Sequence, residues 1–142
     1  MFAAFVIAAI ISVGTCDFAA AQRVVEDVNG HRARARESPL VVDPQLTAVA
    51  MERATDLLRR HYFAHVSPDG STALDALRDH DFRFAYAGEN LASAGSVKAA
   101  ELGLWASPDH RENILERHYR RIGIAVLRTT GDESVVVQIF TD

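Results

Sequence analysis

The stretch IGIAVLRTTGDESVVVQIF, residues 122–140, decides the fold class. It contains two runs rich in β-branched residues, Ile122–Leu127 and Ser134–Phe140, separated by a Thr-Gly-Asp turn. Runs of this kind on either side of a turn predict two antiparallel strands. The alternating segment Phe82–Tyr86 predicts a third strand, which residues 88–90 interrupt. We therefore expect a small, mainly antiparallel sheet of three strands.

The chain before these strands has the period of amphipathic helices, with apolar residues three and four apart. Asp43 and Pro44 begin one helix, because Asp is a favoured N-cap and Pro a favoured first helical residue. Ser96 begins a later helix, and an early helix is predicted over residues 24–37 with Arg32 exposed to solvent. Helices first and strands last indicate an α+β domain.

The composition limits the function classes for this chain of 142 residues. A net charge of −4 excludes a generic basic nucleic-acid-binding protein. Residues 1–21 are mostly apolar or small and end in three alanines, which predicts a signal peptide before one domain at residues 22–142. The predicted location is therefore secreted or periplasmic. An uncleaved anchor, or a lipid on Cys16, is the alternative, and membrane contact is expected only through such an N-terminus.

Three residues from distant segments carry candidate chemistry. His65 and His110 each lie in a loop or helix start that contains a proline, and Glu89 follows an apolar strand in sequence that looks buried. A buried carboxylate needs a partner. Two imidazoles and a carboxylate suit zinc, but a buried structural hydrogen-bond cluster fits the same residues. The residues alone leave both interpretations open.

Four segments of the chain form a set of motifs in this order: Tyr62–Gly70, Ala87–Ala92, Trp105–Leu115 and Ile122–Val126. Together they resemble the bacterial branch of the CAP superfamily (cysteine-rich secretory proteins, antigen 5 and pathogenesis-related 1), whose domain is also called the SCP domain. The resemblance covers almost all of residues 22–142. It implies a secreted protein with a three-layer α-β-α sandwich.

The resemblance also implies a cleft with two histidines and two acidic residues, which in some members binds a divalent metal, often zinc. His65, Glu89 and His110 match three of these positions. Pro108 stands where animal and plant members carry the fourth, a glutamate, so Glu101 is the candidate fourth ligand or an acceptor that orients an imidazole. Asp109 is a weaker substitute.

The favoured function is a non-catalytic extracellular binding module, because no obvious nucleophile–base pair is present. Its ligand is unknown, with a lipid, a cell-wall component or a protein as candidates. The alternative is a secreted hydrolase, either metal-dependent or serine-type, since Ser67 lies near His65 and Ser107 near His110 in sequence. A structural component of the cell envelope is a third interpretation.

Overall fold

A computed structural model describes residues 16–142. Within these residues the chain forms five helices and four strands. In chain order they are α1 (Phe18–Arg34), β1 (Val41–Val42), α2 (Pro44–Arg59), α3 (Ala73–Asp79), β2 (Ala87–Ala94), α4 (Val97–Ala106), α5 (Pro108–Leu115), β3 (Arg121–Arg128) and β4 (Ser134–Thr141).

The strands form one mixed sheet in the order β1-β3-β4-β2. β4 pairs antiparallel with both β3 and β2, whereas β1 pairs parallel with β3. The α+β class is confirmed, but the prediction of three antiparallel strands is wrong in detail. β1 was missed because it has only two residues, which is too short for a period of two to appear.

Strand β2, which takes the place of the predicted third strand, lies further along the chain than expected. Residues 82–86 are outside the sheet, and Phe82 donates its N–H to the carbonyl of Leu77 at the end of α3. Gly88 and Asn90 do not interrupt the strand but belong to it, opposite Phe140 and Gln138. The alternation over residues 82–86 therefore belongs to a loop whose Phe82 packs into the core.

Helices cover both faces of the sheet. Val135, Val137 and Ile139 of β4 pack with α2 and α3, in the first of two apolar clusters. Val136 and Phe140 pack on the opposite face with α1, α4 and α5. Successive side chains of a strand point to opposite faces, so the sheet is the middle layer of an α-β-α sandwich, as expected.

Helix α2 lies directly against the centre of the sheet. A Cβ atom added to Gly123 of β3 would lie 2.1 Å from the carbonyl carbon of Leu46. Only glycine allows two backbones to approach so closely. This contact fixes the helix that carries one side of the site described below.

Helix α1 begins earlier than residue 24. Asp17 caps it by accepting a hydrogen bond from the N–H of Ala20 at 2.8 Å, and Ala20 is fully buried. Residues 1–15 of the predicted signal peptide lie outside the described part of the chain. Cleavage after Ala21 and a domain over residues 22–142 stay predictions, and such cleavage would remove the first turn of α1.

Arg32 is fully buried, so its predicted exposure is wrong. It donates hydrogen bonds to the carbonyls of Ser38, Ile114 and Glu116, and so joins α1 to the end of α5. No helix within residues 16–142 has the length and apolar character needed to cross a membrane.

Candidate functional site

A buried ion pair forms the base of the site. Arg53 of α2 donates from Nε to Oε2 of Glu89 at 2.8 Å and from Nη2 to Oε1 at 3.2 Å. The side chains are only 4% and 5% exposed. Paired contacts between a guanidinium and a carboxylate fix both groups in orientation as well as in charge. Glu89 of β2 thus has the partner that its burial requires.

Arg53 also holds the loop between α2 and α3, which carries His65. Its Nη1 donates to the hydroxyls of Tyr62 and Ser67, both at 3.0 Å. Its Nη2 also donates to the carbonyls of Ala64 and His65, at 3.3 and 3.2 Å. Burial lowers the pKa of Arg53, but hydrogen bonds and charges from Glu89 and Tyr62 outweigh it and leave the pKa above its ordinary value. The guanidinium therefore stays charged.

Glu89 orients the imidazole of His65. Nδ1 of His65 lies 2.9 Å from Oε1 of Glu89. An ionised carboxylate only accepts hydrogen bonds, so Nδ1 carries the proton and Nε2 keeps a free lone pair. The His65 side chain is 57% exposed. His65 therefore presents a fixed nitrogen ligand at the surface of the cleft.

His110 reaches the same region from α5. Asn90, which is fully buried, donates to the backbone carbonyl of His110 at 3.0 Å. Asn113 in turn donates to the side-chain oxygen of Asn90 at 2.9 Å. The pKa of His110 is lowered first by burial and then by the charge of His65, against an opposing effect of Asp109. The backbone of His110 is therefore held beside Asn90, the residue after Glu89 in β2.

Glu101 lies elsewhere. It lines a pocket between α1 and α4 together with Asp27, Lys98 and Trp105. Burial first, and then the charge of Asp27 and a hydrogen bond to it, raise the pKa of Glu101 to about 7. The pocket beside the first histidine is lined by other residues, including His65 and Glu89 but not Glu101. The structure therefore brings His65 and Glu89 together, holds the backbone of His110 beside Asn90, and leaves Glu101 apart.

Residues 16–142 contain no group of three or more His, Cys, Asp or Glu side chains arranged to hold a metal ion. In this region the carboxylate of Glu89 already contacts Arg53 and His65. The nitrogen atoms left for a metal are those of the two imidazoles. Their chemistry suits a divalent ion such as zinc, with Glu89 behind the first imidazole rather than on the ion.

The two serines near the histidines have different surroundings. Ser67 is 5% exposed, and its hydroxyl contacts Arg53 and Tyr62. Ser107 is the N-cap of α5, but its side chain makes no capping hydrogen bond. In the described part of the chain no hydrogen bond joins either hydroxyl to an imidazole. Neither serine has the base contact that activates a nucleophile.

Sequence reasoning missed Arg53, the residue with the most contacts in the site. Arg53 lies on the buried stripe of α2, in step with Leu46, Ala50 and Leu57. An arginine within an apolar stripe is rarely buried unless it is paired. That position alone would have predicted a buried anionic partner, although not which one.

Comparisons with known proteins agree with this fold. The model of the cysteine-rich secretory protein family, CAP, matches residues 25–140. The uncharacterized protein YkwD of Bacillus subtilis is 28% identical over 109 residues, which is 76% of this chain and 42% of that protein. An extracellular SCP-domain protein of Bacillus anthracis is 30% identical, with a TM-score of 0.78 over 87% of this chain and 40% of that one.

An outer surface protein of Borrelia burgdorferi has the same fold, with a TM-score of 0.83 and 23% identity over 91% of this chain and 98% of that one. The chain spans less than half the length of the two Bacillus proteins. The family match nevertheless covers most of its residues. This chain therefore belongs to the CAP family of cysteine-rich secretory proteins.

Proposed function

We propose that this protein is an extracellular binding module whose cleft holds a divalent metal ion, preferably zinc, between His65 and His110. The observation that carries the proposal is the 2.9 Å contact between Nδ1 of His65 and Glu89. It leaves Nε2 of His65 as a ligand, and the backbone of His110 on α5 is held beside Asn90, the residue after Glu89. Family membership and an extracellular SCP-domain relative support secretion.

Glu89 acts in this proposal by orienting His65. A carboxylate that accepts a hydrogen bond from a metal-binding histidine fixes its tautomer and makes it a better ligand. Imidazole nitrogens suit zinc. NaASP2, a protein of the same fold with 12% identity and a TM-score of 0.64, was crystallised with Zn2+. Two protein ligands leave coordination positions for water or for an oxygen of the bound partner, which the metal would polarise.

Calorimetric titration with zinc chloride tests the proposal. We expect one site in the wild-type protein and at least about a tenfold loss of affinity in either His65→Ala or His110→Ala, since each removes a ligand. His80→Ala is the matched control. His80 is exposed at the end of α3, and its Nε2 lies 2.8 Å from Oε2 of Glu52 on α2, so it belongs to a separate contact.

The pH dependence provides a second readout. Zinc binds neutral imidazoles and competes with protons near the ordinary histidine pKa of about 6.5. Burial and the charge of His65 lower the pKa of His110, so that ring stays neutral further into the acid range. Zinc affinity is therefore expected to fall as the pH decreases below about 6.5. Unchanged zinc affinity in a variant lacking both histidines would show that the ion binds elsewhere and would overturn the proposal.

A further inference from the structure

One edge of the sheet lies beside His65. Among residues 16–142, β2 is the last strand of the sheet, so in this part of the chain its outer edge has no strand partner. Asp142 donates its N–H to the carbonyl of Tyr86 at 3.2 Å, on the side of β4. Bonded and non-bonded residues alternate along an antiparallel strand. Ala87 and Glu89 therefore point their N–H and C=O groups away from β4.

A side-chain contact supports this assignment. Nδ2 of Asn113, on α5, lies 3.4 Å from the carbonyl oxygen of Glu89. That carbonyl must therefore face outward. Within residues 16–142, no hydrogen bond from outside the sheet reaches the N–H or C=O of Ala87. The free N–H and C=O of Ala87 thus lie two residues before Glu89, whose side chain contacts His65.

A groove with apolar walls runs along this edge. It is lined by His65, by residues 72–74 at the start of α3, and by residues 87–89 of β2. Gly88 contributes backbone only, since a Cβ there would point at the hydroxyl of Tyr119. Val66, Leu74 and Tyr86 are 54%, 36% and 44% exposed, and belong to the segments that border the groove.

We infer that this groove binds an extended peptide, which adds to the edge of β2 as a further strand beside His65 and His110. The inference deepens the proposed function by naming the ligand class. It rests on the same cleft but does not require the metal.

The hydrogen-bonding pattern of the edge favours a peptide over a lipid. An extended peptide supplies N–H and C=O groups that match those of an edge strand. Its alternate side chains would face the apolar wall that includes Leu74. A lipid chain would cover the apolar wall but would leave the N–H and C=O of Ala87 without water or a partner, which is unfavourable.

Phage display of random heptapeptides on the whole protein tests the inference, with affinities of enriched, synthesised peptides measured by fluorescence polarisation. N-methylation of the peptide backbone removes one donor at a time. We expect losses of about fivefold at alternate peptide positions and little change between them, because one hydrogen bond contributes about 1 kcal/mol and about 1.4 kcal/mol corresponds to tenfold. Binding without this alternation would overturn the inference, as would failure to enrich any peptide.

Two proline variants of β2 form a matched pair. Ala87→Pro removes an outward N–H inside the groove, whereas Ser93→Pro removes one at the exposed far end of the same edge. Proline is tolerated at edge positions whose N–H does not pair. We expect only Ala87→Pro to weaken binding, and equal binding by both would contradict the inference. If Ala87→Pro fails to fold by circular dichroism, the N-methyl scan on wild-type protein still decides.

Measurements in EDTA and in zinc separate this inference from the metal proposal. Zinc binding that depends on His65 and His110, without peptide binding, refutes the peptide inference but not the metal proposal. Peptide binding with the alternating N-methyl pattern, but without histidine-dependent zinc binding, refutes the metal proposal but not the peptide inference. Decanoic acid serves as a ligand without amide groups, and its binding with an affinity equal to that of the best peptide would overturn the inference.

Discussion

Replacing Arg53 by methionine should destabilise the whole domain. The change keeps an unbranched apolar side chain on α2 but removes the cation beside Glu89, whose side chain is 5% exposed. Removing one partner of a buried ion pair leaves an uncompensated charge and costs about 3–5 kcal/mol. The loop that carries His65 also loses its hydrogen bonds to Arg53. The total stability of such a domain is only about 5–15 kcal/mol, so Arg53→Met should be marginally folded.

Urea unfolding followed by circular dichroism measures this loss. Glu89→Gln and the double variant complete a mutant cycle. The double variant should be more stable than Arg53→Met alone, because it no longer buries an unpaired carboxylate. Arg60→Met is the matched control at the C-cap of the same helix, since Arg60 pairs with Asp69 at 2.9 Å on the exposed surface and should matter little.

Two results would refute this reasoning. A loss below about 1 kcal/mol in Arg53→Met would mean that water or a neighbouring group solvates Glu89 in the variant. Strict additivity of Arg53→Met and Glu89→Gln would mean that the two charges do not interact. Either result would also weaken the assignment of Glu89 as the group that orients His65.

Two further predictions concern other parts of the fold. Gly123→Ala should lower the free energy of unfolding by at least about 3 kcal/mol in urea, because the added Cβ would meet the backbone of Leu46. The control Gly103→Ala, at a helical position with open space, should raise it by about 0.5–1 kcal/mol. Equal effects of the two substitutions would disprove the close contact. Glu101 has a pKa raised from 4.5 to about 7, so its neutral form favours the folded state. This contribution is complete below pH 4.5 and is lost as the pH rises to about 7. The urea midpoint should therefore fall less steeply between pH 4.5 and 8 in Glu101→Gln than in the wild type. Glu112→Gln, at an exposed glutamate, is the control and should behave like the wild type. Identical slopes in all three proteins would show that Glu101 does not cause the pH dependence.

The features predicted correctly from the sequence depend on local interactions. Asp43 and Ser96 cap α2 and α4 as expected, because a cap involves residues two or three positions apart. The position of β2 was not predictable in this way, since it depends on pairing with β4, whose residues lie 40 to 54 positions further along the chain than their partners. Arg53 was missed for the same reason, because its partner Glu89 lies on a different element.

The candidate site was only partly predictable. His65 and Glu89 were expected in one cleft, and the structure joins them directly. The sequence could not show that Glu101 faces Asp27 rather than the cleft, because that depends on how α4 packs against α1. Residue type was informative about chemistry, whereas the direction of each side chain followed from packing.

The two histidines come from opposite layers of the sandwich. His65 follows α2 on one side of the sheet, and His110 belongs to α5 on the other. A ligand that contacts both rings therefore contacts two helical layers that lie on opposite faces of the sheet. Because each ring is carried by a different layer, the spacing between the rings depends on how both layers pack on the sheet, and repacking either apolar cluster is expected to change the cleft.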